Sequence, residues 1–122
     1  MKHAFLGVAL AAVSAFVFLP PQPALANSTV NSTVNITASN WKFTPGTIIV
    51  HRNMPVTLRL TSAGGVHGIA MPDLGIGNVT ILPGKFATVT FTPKKNGAYK
   101  VHCTVYCGAG HVNMILTIKV VN

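Results

Sequence analysis

Carboxylates are almost absent from this chain. Asp73 is its single acidic residue among 122, against nine lysines and arginines, for a formal net charge of +8 at pH 7. Acid unfolding comes largely from carboxylates that are stabilised in the folded state and must take up protons as the pH falls. A chain with one such group has little of that stability to lose, so the composition suits an acidic environment outside the cytoplasm. The excess of bases raises the question of nucleic acid, whose binding proteins carry a basic stripe or patch. Lys42, Arg52, Arg59, Lys85, Lys100 and Lys119 are instead scattered singly, with Lys94-Lys95 as the one pair. That pattern reads as a solvated surface and speaks against a nucleic-acid partner.

Long apolar runs are also scarce, and one stands out. Met1-Lys2-His3 precedes an apolar stretch over residues 4–19, which Pro20-Pro21-Gln22-Pro23 brings to an end before Ala24-Leu25-Ala26. The stretch falls short of the roughly 20 residues that cross a bilayer. A basic start, a short apolar run and a small-residue cleavage site describe a secretory signal over residues 1–26, with an uncleaved membrane anchor as the rival reading. Residues 27–39 form a polar tandem repeat that passes into a first strand over 33–38, and a single domain follows over 40–122. Asn27, Asn31, Asn35 and Asn78 satisfy N-x-[ST], a pattern too common by chance to argue for glycans.

A sustained helical period is missing as well, which excludes a helical architecture. Thr47–His51 and residues 56–61 alternate as half-buried strands do, with Arg52-Asn53-Met54-Pro55 as the turn between them. Residues 86–91 repeat the pattern after Leu82-Pro83-Gly84, and a turn at Lys94-Lys95-Asn96-Gly97 leads to strands over 99–103 and 114–121. Short strands with Pro and Gly turns predict an all-β protein, a Greek-key β-sandwich or barrel.

Cysteine is limited to two residues, and they lie close together. Cys103-Thr-Val-Tyr-Cys107-Gly-Ala-Gly-His111-Val-Asn-Met114 places two thiols, an imidazole and a thioether in one short loop. Soft sulfur with imidazole suits copper. His67, which the run Gly64-Gly65-Val66-His67-Gly68 places in a Gly-rich loop, is the natural further ligand from upstream. Two blander readings compete. A Cys103–Cys107 disulfide is conceivable in an exported protein, yet it gives His67, His111 and Met114 no task. A structural zinc with two Cys and two His meets tetrahedral demands, but the thioether favours copper. Gly64, Gly65 and Gly68 leave room for close backbone approach, and Gly108 and Gly110 let the loop turn between Cys107 and His111. Strand alternation sends His102 to the face opposite Cys103. His51 reads as exposed, Met54 and Met71 as packing, and Trp41 and Tyr106 as core or site-rim aromatics, with Tyr106 placed to shield a metal from water.

The C-x3-C-x3-H-x2-M spacing with an upstream histidine resembles the copper-A (CuA) domain of cytochrome c oxidase subunit II. The resemblance extends through Trp41-Lys-Phe-Thr-Pro45, Ser62 to His67, Pro72-Asp-Leu-Gly-Ile76, Leu82-Pro-Gly84 and Gly97-Ala-Tyr99 to the C-terminus. It implies a cupredoxin barrel and a binuclear copper centre, with Cys103 and Cys107 bridging two coppers and His67, Met114, His111 and the backbone carbonyl of Val105 completing the shell. It further implies one-electron transfer, from a cytochrome c or small copper protein to the haem of a membrane-bound oxidase subunit I. Oxidase activity then belongs to the complex rather than to this chain. Two departures stand out. The family generally has an Asp three residues before the upstream histidine, where this chain has Gly64, and it uses acidic surface residues to receive a basic cytochrome c, which this chain lacks. Alternatives to the binuclear carrier are a free periplasmic mononuclear cupredoxin and a copper storage or delivery module.

Overall fold

The computed structural model describes residues 7–21 and 32–122. The basic start, the cleavage site at Ala24 to Ala26 and most of the tandem repeat, including Asn27 and Asn31, lie outside the described residues. Residues 7–21 have no regular secondary structure and are exposed, and among the described residues no helix is long and apolar enough to cross a membrane.

Nine strands follow: β1 (Ser32–Ser39), β2 (Lys42–Thr44), β3 (Thr47–His51), β4 (Val56–Ser62), β5 (His67–Met71), β6 (Ile76–Ile81), β7 (Ala87–Phe91), β8 (Gly97–His102) and β9 (Ile115–Val121). Short 3-10 turns at Pro72–Leu74 and His111–Asn113 interrupt them. One sheet has the order β2-β1-β4-β7 and a second the order β3-β9-β8, while β5 and β6 form a separate hairpin. β1 runs parallel to β4 and β3 parallel to β9, so neighbours in space are distant in sequence, as crossing connections between two sheets require. The all-β sandwich expected from the strand pattern is therefore present.

Period-2 alternation sets which face is buried. In β4, Val56, Leu58, Leu60 and Ser62 point inward while Arg59 faces out, its guanidinium 3.4 Å from the centroid of the Phe86 ring. In β9, Leu116, Ile118 and Val120 are buried, and Lys119 between them is exposed. Ile36, Leu58 and Leu60 join Val101, Leu116 and Ile118, together with Ile69, Ile76 and Ile81 of the hairpin, in one apolar cluster.

One sequence-based expectation stands with an addition, and one shifts. The turn after β3 does form, with Asn53 at φ 64° and the Met54 amide donating to the His51 carbonyl at 3.3 Å. The strands it joins nevertheless belong to different sheets, because the Arg52 amide reaches the Val121 carbonyl and the Asn53 amide the Pro93 carbonyl, each at 2.7 Å. The alternation of β3 and β4 identified strands but carried no information on pairing. The upstream histidine was expected in a Gly-rich loop and instead opens β5.

Leu58 is fully buried at the centre of β4. Leu58→Ala is expected to lower stability by about 3 kcal/mol, the usual cost of removing a buried leucine with partial collapse around the cavity. A urea unfolding curve with an unchanged slope and a lower midpoint would register it.

Candidate metal centre

The site is assembled where the β5–β6 hairpin meets the loop between β8 and β9. Gly68 makes that meeting possible: a Cβ there would lie 2.5 Å from Thr104 Oγ1, 3.0 Å from the Val105 side chain and 3.1 Å from the Val79 carbonyl oxygen. With only hydrogen on Gly68, the Thr104 amide donates to the Gly68 carbonyl at 3.0 Å, and Ile69 bridges to Cys103. His67 is thereby carried against the start of the motif loop and fully buried. The loop closes on itself. The Cys103 amide donates to the Met114 carbonyl at 3.0 Å, and within the loop the His111 amide reaches the Gly108 carbonyl at 3.2 Å and the Met114 amide the His111 carbonyl at 3.1 Å.

Six donor groups meet as a result. The Cys103 and Cys107 sulfurs lie 3.9 Å apart. His67 Nδ1 is 4.0 Å from Cys103 Sγ, and the Cys103 thiol donates to the Val105 carbonyl at 3.2 Å. On the other side, His111 Nδ1 lies 3.6 Å and Met114 Sδ 3.7 Å from Cys107 Sγ. Each sulfur thus has one imidazole and one weaker donor beside it. The ligand atoms of His67, Cys103 and Cys107 all fall within 4.8 Å of one another. Cys103 and Met114 are buried, whereas Cys107 and His111 are half-buried at the rim.

The imidazole of His67 is held in one tautomer. Its Nε2 lies 2.8 Å from the Gly64 carbonyl oxygen, which can only accept, so Nε2 carries the proton and Nδ1 turns a bare lone pair toward Cys103.

The donor set fits a soft metal. Both cysteines are free, and a separation of 3.9 Å is well beyond the roughly 2.05 Å of a disulfide. It is less than twice a metal–thiolate bond of about 2.3 Å, so the two sulfurs can serve the same ion. A buried thioether beside thiolate and imidazole suits copper better than zinc. The Cys107 thiol is pushed up from its ordinary pKa, first by burial and then by its hydrogen bond to Cys103 and the charge there.

The surrounding residues depart in part from expectation. Trp41 is 42% exposed and lies over the loop rather than in the core. Its indole Nε1–H donates to the Cys107 carbonyl at 2.9 Å, and its ring lies so close to Gly108 and Gly110 that a Cβ would fall 3.0 and 2.5 Å from it. Tyr106 is 79% exposed, its ring 5.5 Å from that of His111, so it borders the site without closing it from water. Met54 is exposed and lies outside the apolar cluster, Met71 packs half-buried against the core, and His102 and His51 face outward as expected. Ser62 was not recognised as a site residue from sequence. Its hydroxyl donates to the Gly65 carbonyl at 2.6 Å and accepts from the Gly64 amide at 3.1 Å, and nothing in a lone serine at a strand end signals this.

Comparison with known proteins gives a consistent set of relatives. The family model for the cupredoxin-like domain matches residues 7–115. Cytochrome c oxidase subunit 2 of Thermus thermophilus is 35% identical over 101 residues, covering 83% of this chain and 74% of that relative. A second subunit 2 sequence from the same species is equally similar, and there the chain spans 60% of the relative's length. The periplasmic domain of subunit II of cytochrome oxidase from Bradyrhizobium japonicum has the same fold, with a TM-score of 0.68 at 21% identity, covering 75% of this chain and 84% of that one.

Thiolate, not thiol, binds metal, so protons compete with the metal for both cysteines. Because the Cys107 thiol holds its proton to higher pH than an ordinary thiol, soft-metal affinity is expected to climb steadily from pH 6 to above about 8.5, the ordinary thiol value. The metal-free fold is expected to behave in the opposite sense. A raised pKa contributes stability that is present below the unfolded thiol value and lost as the pH rises through the folded one. Metal titrations and urea midpoints measured across that range check both trends.

Proposed function

This chain belongs to the cupredoxin-like family, among the subunit 2 proteins of cytochrome c oxidase, and on that premise we propose that it is a copper-dependent electron-transfer protein with a binuclear CuA centre. The observation that carries this reading is the pairing of the two free thiols 3.9 Å apart, each with its own imidazole. Cys103 and Cys107 would hold the metal jointly, His67 and His111 would each offer Nδ1, and Met114 and the Val105 carbonyl would offer the weaker contacts. Bound copper provides a one-electron couple at these sulfurs. The chain's own part is to keep the ligands still. β8 and β9 pin both ends of the loop, Gly68 locks β5 to its start, and Trp41 fastens the Cys107 carbonyl. Ligands held in this way need little rearrangement when charge changes, and the buried Met114 and Cys103 keep water from the inner side.

Exposed Tyr106 and Val112 mark the side open to a redox partner. The protein works on the outer side of the cytoplasmic membrane as the component of a terminal oxidase that receives electrons, passing them to the haem-bearing subunit I. Its donor is a cytochrome c or small copper protein. With one acid in the chain, that donor is acidic or meets an apolar patch, since a basic partner would be repelled.

Copper-to-protein ratio and electron paramagnetic resonance of the loaded, partly oxidised protein test the centre. Two coppers with hyperfine structure from one electron shared by two nuclei are expected. One copper with a single-nucleus pattern would instead establish a mononuclear cupredoxin. Cys107→Ser is expected to abolish the shared-electron spectrum, and Met114→Leu to keep copper while shifting the reduction potential, since a weak ligand tunes more than it anchors. Loss of copper in Met114→Leu would overturn this ranking of the ligands.

A further inference from the structure

Among the described residues, two polar side chains are buried, Ser62 and His67, and a single short turn connects them. Ser62 ends β4 and His67 opens β5, so the turn over residues 63–66 carries the chain from one sheet to the hairpin. Within it the Ser62 hydroxyl is bonded twice, donating to the Gly65 carbonyl at 2.6 Å and accepting from the Gly64 amide at 3.1 Å. Gly65 sits at φ +76°, where a side chain is strained, and a Cβ on it would lie 3.4 Å from His67 Nε2. These constraints leave the Gly64 carbonyl aimed at His67 Nε2, 2.8 Å away. The Ala63 amide, donating to the Ala38 carbonyl at 2.8 Å, anchors the turn to β1.

We infer that Ser62 is a positioning residue for His67: its doubly bonded hydroxyl shapes the turn so that a backbone carbonyl fixes the imidazole with Nδ1 free to bind metal. This deepens the copper reading of the site and rests on His67 being a ligand. An outer partner on the far ring nitrogen of a metal-bound histidine sets its tautomer and orientation, and its loss typically weakens metal binding 10- to 100-fold. A carbonyl held by the turn does this without a charge. The orienting group at Gly64 is thus its backbone carbonyl and not a carboxylate. Without the hydroxyl, the Gly64 amide and Gly65 carbonyl lose the partner that joins them across the turn, and relaxing them turns the Gly64 carbonyl away.

The decisive experiment uses 15N-labelled, metal-free full-length protein, so it does not depend on copper. In the unsubstituted chain, the His67 ring is expected to show a single Nε2–H tautomer with a slowly exchanging ring proton. Ser62→Ala should mix the tautomers and speed that exchange, and Ser62→Thr, which keeps the hydroxyl, should restore the single form. In parallel, copper release to a chelator should be 10- to 100-fold faster in Ser62→Ala than in the unsubstituted protein or Ser62→Thr. A mixed tautomer or a rapidly exchanging proton in the unsubstituted chain would overturn the inference even if Ser62→Ala failed to fold. So would a Ser62→Ala protein that is less stable yet keeps the single tautomer and the original release rate. If the tautomer results hold while the protein takes up no copper, the copper assignment falls and the positioning role of Ser62 stands.

Discussion

The close approach of Gly68 to Thr104, just past the end of β8, is the contact on which the rest of the site depends. The hairpin that carries His67 and the loop that carries both cysteines are separated by some thirty-six residues and belong to different parts of the sheet system. They are joined through the Gly68 carbonyl, which accepts from the Thr104 amide, and through the bridge from Ile69 to Cys103. Both contacts require that position 68 carry no side chain. The apolar cluster around Ile69, Val101 and Leu116 then holds this seam in place, so core packing and ligand geometry are one problem.

The site is built so that hydrogen bonds from the protein itself position its donor groups. No buried side-chain nitrogen or oxygen among the described residues lacks a hydrogen-bond partner. The His67 ring is bonded by the Gly64 carbonyl, the Cys103 thiol by the Val105 carbonyl, and the loop is fastened from outside by Trp41. Prepaid order of this kind limits the rearrangement a metal must drive. It also explains how a site with soft ligands is supported by strands and tight turns rather than by charged neighbours, in a chain whose one acid lies in the Pro72–Leu74 turn.

Much of this was legible in the residues. Alternation in Thr47–His51 and in the segment beginning at Val56 identified strands, and the C-x3-C-x3-H-x2-M spacing with His67 brought the family into view. Other elements gave weak signals. β2 is three residues long, and β6, Ile-Gly-Asn-Val-Thr-Ile, carries a glycine and an asparagine that read as turn formers. Their strand conformation comes from partners: β2 pairs with β1, and β6 with the strand that carries His67. Trp41 read as a core or a site-rim aromatic, because residue type alone does not choose between the two. Its place over Gly108 and Gly110 became visible only when the loop was folded back beneath it.

What the sequence alone determined were the kinds of atoms available: two thiols, imidazoles and a thioether at close spacing, period-2 apolar positions, and a surface almost without carboxylates. Those follow from local chemistry, which needs no partner in space. Tertiary structure decided which sheet each strand joined, which face of His67 met Cys103, and which carbonyl held its other nitrogen. Such outcomes arise between segments far apart in the chain, where backbone approach, excluded volume at glycine and the requirement to satisfy buried polar groups select one arrangement from many.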